Sequence, residues 1–365
     1  MKVIVSVFNN LYTDQRVEKV CATLIKNGYE IELIGNNWGG LIQMERSYPF
    51  SRINLTSTKL RYAYLEFQWK LYKELLQKAN KNSILLSNDL DTLLPNYLIS
   101  KKLRIPLIFD SHEIFTEMPS LNGRFTQKIW RKLEQSIVPK LKYIMTASES
   151  YADWFAKTYQ IQRPATVQNF PLKIDNPQNY LTTNSPKIIL YQGVINPSRG
   201  LDQIISATNI IDDAQLWIAG DGPKKKDLEF LTKTLGLEQK VKFLGKLLPK
   251  DLREITKKAD VGLSIEENNG LSYYYSMPNK VSDYIQARIP VIVSDFPEMR
   301  KVVDRFQAGE KIKDHAQLAE KIEIVLKNGK LFYKDSLNKA ANELCWENEE
   351  PKILNLFKQV VAENF

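Results

Sequence analysis

Short, almost wholly apolar runs alternate along this chain with longer segments whose apolar residues recur every three or four positions. Runs of the first kind, at 3–7, 29–34, 84–87, 106–109, 141–146 and 165–169, read as buried strands. Between them, 16–27 reads as a helix with Val17, Val20, Leu24 and Ile25 inward, closed by Gly28. Residues 59–81 and 92–103 read as further helices. A strand at 187–192 and a helix at 201–209 restart the alternation, with strands following at 215–219, 241–245 and 261–265. Strand–helix alternation of this kind predicts an α/β protein built on doubly wound parallel sheets. Between the two series, 170–186 carries three prolines and few apolar residues, which marks a linker. The expected organisation is a Rossmann-like domain over 1–170, a linker over 171–186, a second such domain over 187–350 and a closing helix over 351–365.

The segment 276–295 couples the second pattern to polar chemistry. Pro278 suits the first turn of a helix, Ser276 can cap it, and Val281, Tyr284 and Ile285 form its buried stripe. Residues 291–293 then form a strand beyond Pro290. Lys280 and Asp283, three apart, share a face close to the helix N-terminus. A lysine beside free N–H groups attracts an anion, and an acid nearby accepts bonds from hydroxyls, so phosphate plus ribose fits the pair. A solvated ion pair explains them equally well.

Other polar residues fall in loops after strands, where an open α/β sheet binds ligands. Asp89 and Asp91 follow one strand, and one or the other reads as the N-cap of the helix beginning at 92. Asp110, Ser111, His112 and Glu113 follow the next, and His112 is one of two histidines in the chain. Gly193, Arg199 and Gly200 bound a loop that opens a helix, as a diphosphate site does. Gly220, Asp221 and Gly222 form a strand-end turn. The first loop, 9–16, has no glycine, which argues against a dinucleotide fingerprint; Asp14 there reads as a helix cap.

The 365 residues carry a net charge of +9. Residues 1–175 hold 24 Lys and Arg against 16 Asp and Glu, so the excess sits in the first half. No helix-turn-helix, zinc or RRM pattern supports nucleic acid. The aromatic and basic helix 59–81 suits either a core helix or an anionic membrane surface. Cys21 and Cys345 read as core thiols of a reducing compartment. No apolar run spans a membrane and the N-terminus reads as a first strand, so a cytoplasmic location is expected.

The pattern Pro278-Asn279-Lys280-x-x-Asp283-Tyr284, with a Pro-Val-Ile strand after it, resembles the nucleotide-sugar helix of GT-B glycosyltransferases. It is most similar to family-4 retaining enzymes that build bacterial surface polysaccharides. Asp110-x-His112-Glu113, the 193–200 loop, the 220–223 turn and the Asp14-Gln-Arg16-Val opening resemble the same group. The resemblance implies two Rossmann-like domains facing across a cleft, with the final helix packed back on the first. It implies donor binding by Gly193, Arg199, Asp221, Asn279, Lys280 and Asp283, with Asp283, a Glu in most of the family, on the ribose. His112 would hold the donor sugar, and Asp14, Arg16 and Glu113 would lie on the acceptor side. Val194 stands where the family has an arginine, and Tyr275 where it often has a first acid; Glu266, Glu267 or the tyrosines at 273–275 are the available substitutes. The implied reaction moves a sugar, UDP-linked by family habit, from a nucleotide diphosphate-sugar to an acceptor hydroxyl on a sugar or lipid-linked acceptor, with no metal or other cofactor. Peripheral contact with the inner face of a membrane would run through the basic first domain. A non-catalytic sugar-nucleotide-binding partner of an assembly complex and a nucleotide-sugar epimerase are the rival readings.

Overall fold

The computed structural model describes residues 1–12, 14–41, 43–175 and 184–365. The middle of the expected linker, 176–183, lies outside the described residues. The chain divides into two compact units: Met1–Asn169 together with Glu349–Phe365, and Phe170–Asn348.

In the first unit the elements run β1 (Lys2–Ser6), α1 (Gln15–Lys26), β2 (Glu30–Asn36), β3 (Phe50–Ile53), α2 (Leu60–Lys78), β4 (Ser83–Asn88), α3 (Leu90–Leu103), β5 (Leu107–Ser111), α4 (Phe125–Ile137), β6 (Tyr143–Thr146), α5 (Glu149–Tyr159) and β7 (Ala165–Thr166). The strands form one parallel sheet in the order β3-β2-β1-β4-β5-β6-β7. Central strands are buried on both faces, which is why they read as unbroken apolar runs. On one face Ile4, Ile34, Leu85 and Phe109 pack against Phe67 and Leu71 of α2 and Leu93 and Ile99 of α3.

The second unit runs β8 (Lys187–Gln192), α6 (Leu201–Asn209), β9 (Ala214–Ala219), α7 (Lys225–Thr234), β10 (Val241–Gly245), α8 (Pro249–Lys258), β11 (Val261–Ser264), α9 (Leu271–Tyr274), α10 (Asn279–Gln286), β12 (Val291–Ser294), α11 (Pro297–Phe306), β13 (Gly309–Ile312), α12 (Leu318–Phe332) and α13 (Lys334–Glu343). Its parallel sheet has the order β10-β9-β8-β11-β12-β13. In each sheet the strand order reverses direction beside the first strand of its unit, between β1 and β4 and between β8 and β11. The carboxyl ends of those strands are where such sheets take ligands.

The last helix, α14 (Glu350–Asn364), belongs to the first unit. Phe357 stacks edge-on to Tyr29 at 5.4 Å, Thr23 donates to Glu350, and Tyr143 donates to Glu363. Pro351 sits in its first turn, where a missing N–H is harmless, and does not break it.

Three local expectations change. Helix α10 starts at Asn279 with Pro278 extended before it, and the Ser276 hydroxyl donates to the Tyr273 carbonyl instead of capping. The aromatic helix is Leu60–Lys78, with Ala63, Phe67, Leu71 and Leu75 as its buried stripe. Asp89 occupies the N-cap position of α3 but makes no side-chain cap bond, and Asp91 lies inside the helix. Cys21 and Cys345 are free and buried, and burial pushes the Cys21 thiol up to about 12.

Candidate functional site

Two polar clusters stand at the carboxyl ends of the two sheets, one in each unit. In the first, Asn88 and Asp110 are register partners at the ends of β4 and β5. His112 lies just beyond, with Nε2 3.1 Å from Asn88 Oδ1 and 3.3 Å from Asp110 Oδ2. Its Nδ1 is 3.3 Å from Asp89 Oδ2, and its backbone N–H donates to Asp89 Oδ1 at 2.8 Å. That last bond explains why Asp89 does not cap α3. Asp89 adopts φ 58° and ψ 170°, a region costly for a residue with a Cβ and a common mark of a functional turn.

Burial lowers the His112 pKa, but Asp89 and Asp110 outweigh it and raise the group to about 9. Burial works the other way on Asp110, where Arg16 and His112 prevail and hold the carboxyl at about 2. His112 is therefore an imidazolium at neutral pH, with both ring nitrogens facing acids. Asp91, also buried, is pushed well above the usual carboxylate range by burial and then by Asp89, and its Oδ1 has no hydrogen-bond partner. Glu113 is half-buried, and its backbone carbonyl accepts from the Ser111 hydroxyl at 2.7 Å.

The two residues placed on the acceptor side at the start of α1 are held within the protein. Asp14 caps α1 through Val17 N–H at 3.0 Å and accepts from the Asn9 amide at 2.7 Å. The buried guanidinium of Arg16 makes a two-armed pair with Asp110, at 3.0 and 2.6 Å, and donates to the Val167 carbonyl at 2.6 Å. Arg16 therefore fixes Asp110, which faces His112, and this replaces its expected contact with an acceptor.

The second cluster gathers residues from the end of β8, the loop after it, the segment after β11 and helix α10. Arg199 stands before Gly200, the N-cap of α6, where any Cβ would sit 2.8 Å from the Ile265 carbonyl oxygen. Lys280 is in the first turn of α10, and neither helix has a side-chain cap. The N-terminus of a helix, with its dipole and its backbone N–H groups, favours an anion, and each cation stands beside one. Between the two cations lies Glu266, buried just beyond β11. It accepts from Lys280 Nζ at 2.9 Å on Oε1 and from Arg199 Nη1 on Oε2. Burial raises the Glu266 pKa, but Lys280 and Arg199 outweigh it and hold the carboxyl below its usual range. The alternative reading of Lys280 and Asp283 as a solvated pair is not what forms. Lys280 is buried against Glu266 and lies 4.3 Å from the centre of the Tyr191 ring. Asp283 accepts from the Gln192 amide at 3.1 Å, and Gln192 is itself fixed by the Thr256 hydroxyl at 2.7 Å.

Gly193, at the end of β8, takes φ 135° close to the Lys280 side chain, and Val194 is exposed. Asp221 is exposed and accepts from the N–H of Gly222 at 2.8 Å, as a turn residue does. Asn279 is exposed at the start of α10. Among the substitutes for the absent first acid, Glu267 accepts from Asn269 and Tyr274 packs on Phe296, while Glu266 alone of the acids reaches both cations. Tyr273 lies under Arg199 at 4.5 Å. Sequence reading overlooked Gln192, whose signal is a polar residue closing an apolar strand, and the link from Asp89 to His112.

Residues 173–343 match the model of Glycosyl transferases group 1, and residues 14–170 match that of Glycosyltransferase Family 4. The chain is a family-4-like GT-B glycosyltransferase. The match of this glycosyltransferase to the lipopolysaccharide core biosynthesis glycosyltransferase LpsD of Rhizobium meliloti is 34% identical over 16% of the chain and 17% of that protein. An α-1,4-N-acetyl-D-galactosaminyltransferase of Campylobacter jejuni, which acts on an undecaprenol-diphosphate-linked glycan, is 24% identical over 72% of the chain and 69% of its own length. Sucrose-phosphate synthase from Thermosynechococcus elongatus shares the fold with a TM-score of 0.81 at 14% identity, covering 100% of both chains. HepE of Anabaena, solved with UDP-glucose, gives 0.73 at 13% identity over 98% of this chain and 100% of its own.

Proposed function

We propose that this glycosyltransferase moves a sugar from a nucleotide diphosphate-sugar, UDP-linked in the first instance, to an acceptor hydroxyl with retention of the anomeric configuration. The observation that carries this reading is the pairing of Arg199 and Lys280 beside the uncapped N-termini of α6 and α10. Breaking a sugar–diphosphate bond leaves charge on the departing diphosphate. Two cations and two sets of backbone N–H groups stabilise such charge without a metal. Asp283, steadied by Gln192, is available to a ribose hydroxyl. His112, held by Asp89 and Asp110, is the residue assigned to the donor sugar. In this reading Gly193, Asp221 and Asn279 belong to the donor side and Glu113 to the acceptor side. The relatives act in lipopolysaccharide and glycan assembly, which supports a polysaccharide or glycolipid product.

Membrane-proximal work is part of the proposal. Among the described residues no helix is long and apolar enough to cross a membrane. The side of α2 away from its buried stripe nevertheless exposes Tyr62, Leu65, Trp69 and Leu76, with Lys73 over the Trp69 ring at 3.5 Å. Aromatic, leucine and lysine side chains on one helix face suit the boundary of an anionic bilayer, here its cytoplasmic leaflet. Co-sedimentation with anionic vesicles, absent with zwitterionic ones and reduced by Trp69→Glu, is the expected result.

The test of the donor site is a thermal-shift screen with UDP, GDP, ADP, CMP and their sugars, with and without EDTA. A ligand at a hundredfold its Kd stabilises by about 2.7 kcal/mol, enough for a shift of a few degrees. A shift with one nucleoside diphosphate that survives EDTA supports the reading and names the base. No shift with any of them overturns the donor role of Arg199, Lys280 and Asp283.

A further inference from the structure

Glu266 has no assigned part in the donor site, yet it is the most constrained acid there. Its carboxylate touches both cations, and Oε1 also accepts from the Ser264 hydroxyl at 3.2 Å. Its backbone is pinned twice by one side chain: the Glu266 N–H donates to Ser294 Oγ at 2.8 Å, and the Ser294 hydroxyl donates back to the Glu266 carbonyl at 2.8 Å. Ser264 and Ser294 end the adjacent strands β11 and β12, so the carboxylate is fixed to the edge of the sheet. A carboxylate held in this way does not swing aside for an incoming anion. Arg199 and Lys280 are long, flexible side chains that would repel each other as bare neighbours. With Glu266 between them, and with Tyr273 and Tyr191 beneath them, each is held in one place. A guanidinium has five donors and an ammonium three, so one bond each to Glu266 leaves both able to bind a second anion.

We propose that Glu266 is the positioning residue of the diphosphate site: it sets the spacing of Arg199 and Lys280 so that both can grip a nucleoside diphosphate at once. The inference rests on the donor-site reading above and adds a residue and a selectivity to it. Two cations at a fixed spacing reward a ligand with two phosphates over a ligand with one. Glu266 therefore governs discrimination between nucleoside diphosphate and monophosphate, without touching the nucleotide itself.

The test is calorimetric binding of UDP and UMP to the full chain, with GDP and GMP used instead if the screen names guanine. In Glu266→Gln the Kd for the diphosphate should rise roughly tenfold or more, while that for the monophosphate moves by less than about threefold. Glu266→Asp, which keeps the charge and loses reach, should fall between. The ratio of the two Kd values does not depend on the fraction of protein that is folded, so a merely structural role leaves it unchanged. If Glu266→Gln does not fold, the same ratio in Glu266→Asp decides. An unchanged ratio, or tighter diphosphate binding by the Gln variant, overturns the proposal. Equal binding of UDP and UMP by the wild type, or no binding of either, would instead overturn the donor-site reading itself.

Discussion

His112 carries a proton that the fold supplies. Its folded pKa, about 9, is above the ordinary 6.5, so its contribution to stability is full below 6.5 and is lost as pH rises through about 9. Asp110 behaves oppositely: with a folded value of about 2 against 3.8, its contribution is present above 3.8 and is lost as pH falls through about 2. Urea titrations across the alkaline window should show the wild type losing stability that a His112→Gln variant does not have to lose. Asp91 is a buried acid whose folded pKa is raised, so it binds its proton more tightly when folded and weakens the fold once pH passes the unfolded value. Asp91→Asn should raise the thermal midpoint at neutral pH, and the gain should vanish in acid. At the proposed donor site, Arg199→Ala and Lys280→Ala should each cost roughly 2–4 kcal/mol of transition-state stabilisation, read as kcat/KM. Among single residues, His112 and Arg199 stand out as candidates in the sequence because each lies in a loop after a strand, and Lys280 and Asp283 because they share a face near a helix start. The sequence did not show which residues they pair with. Glu266 meets Lys280 and Arg199 only when a loop, a strand end and two helix starts converge, and nothing local to residue 266 distinguishes it from Glu267 beside it.

Elements were read best where the pattern was purest. Buried parallel strands and amphipathic α1 announce themselves through apolar period. Edge strand β3 does not, because the Phe-Ser-Arg-Ile sequence is half polar and only its last residue is fully buried. The start of α10 shifted because Pro278 stands extended at the boundary, with Ser276 turned back to Tyr273. Helix α2 looked ambiguous because it is apolar on two sides, one packed on the sheet and one exposed. Close backbone approach is also invisible in sequence. A Cβ on Gly220, which has φ 157°, would lie 1.8 Å from the Gly193 carbonyl oxygen. Gly220→Ala should therefore cost about 1–3 kcal/mol or more and displace the β8 loop, measured by urea denaturation and by loss of nucleotide binding. Phe357, fully buried on α14 against Tyr29, should cost roughly 3–5 kcal/mol when cut to Ala.

At the scale of the whole molecule, the division of the chain was foreshadowed by the proline-bearing stretch 170–186, and the fold by its two series of strands. The first unit is assembled from the two ends of the chain, while the second is one unbroken segment, Phe170–Asn348. This has a consequence for how the protein is made. During synthesis the second unit has all of its residues before the first does, since α14 emerges after Asn348. Until then β7 and α1 lack the helix that covers them, with Tyr29 open to solvent and the N–H of Gln168 without the Glu349 carboxylate. A chain stalled or truncated before residue 349 should hold a folded second half beside an unfinished first half, one that proteases cut and chaperones retain.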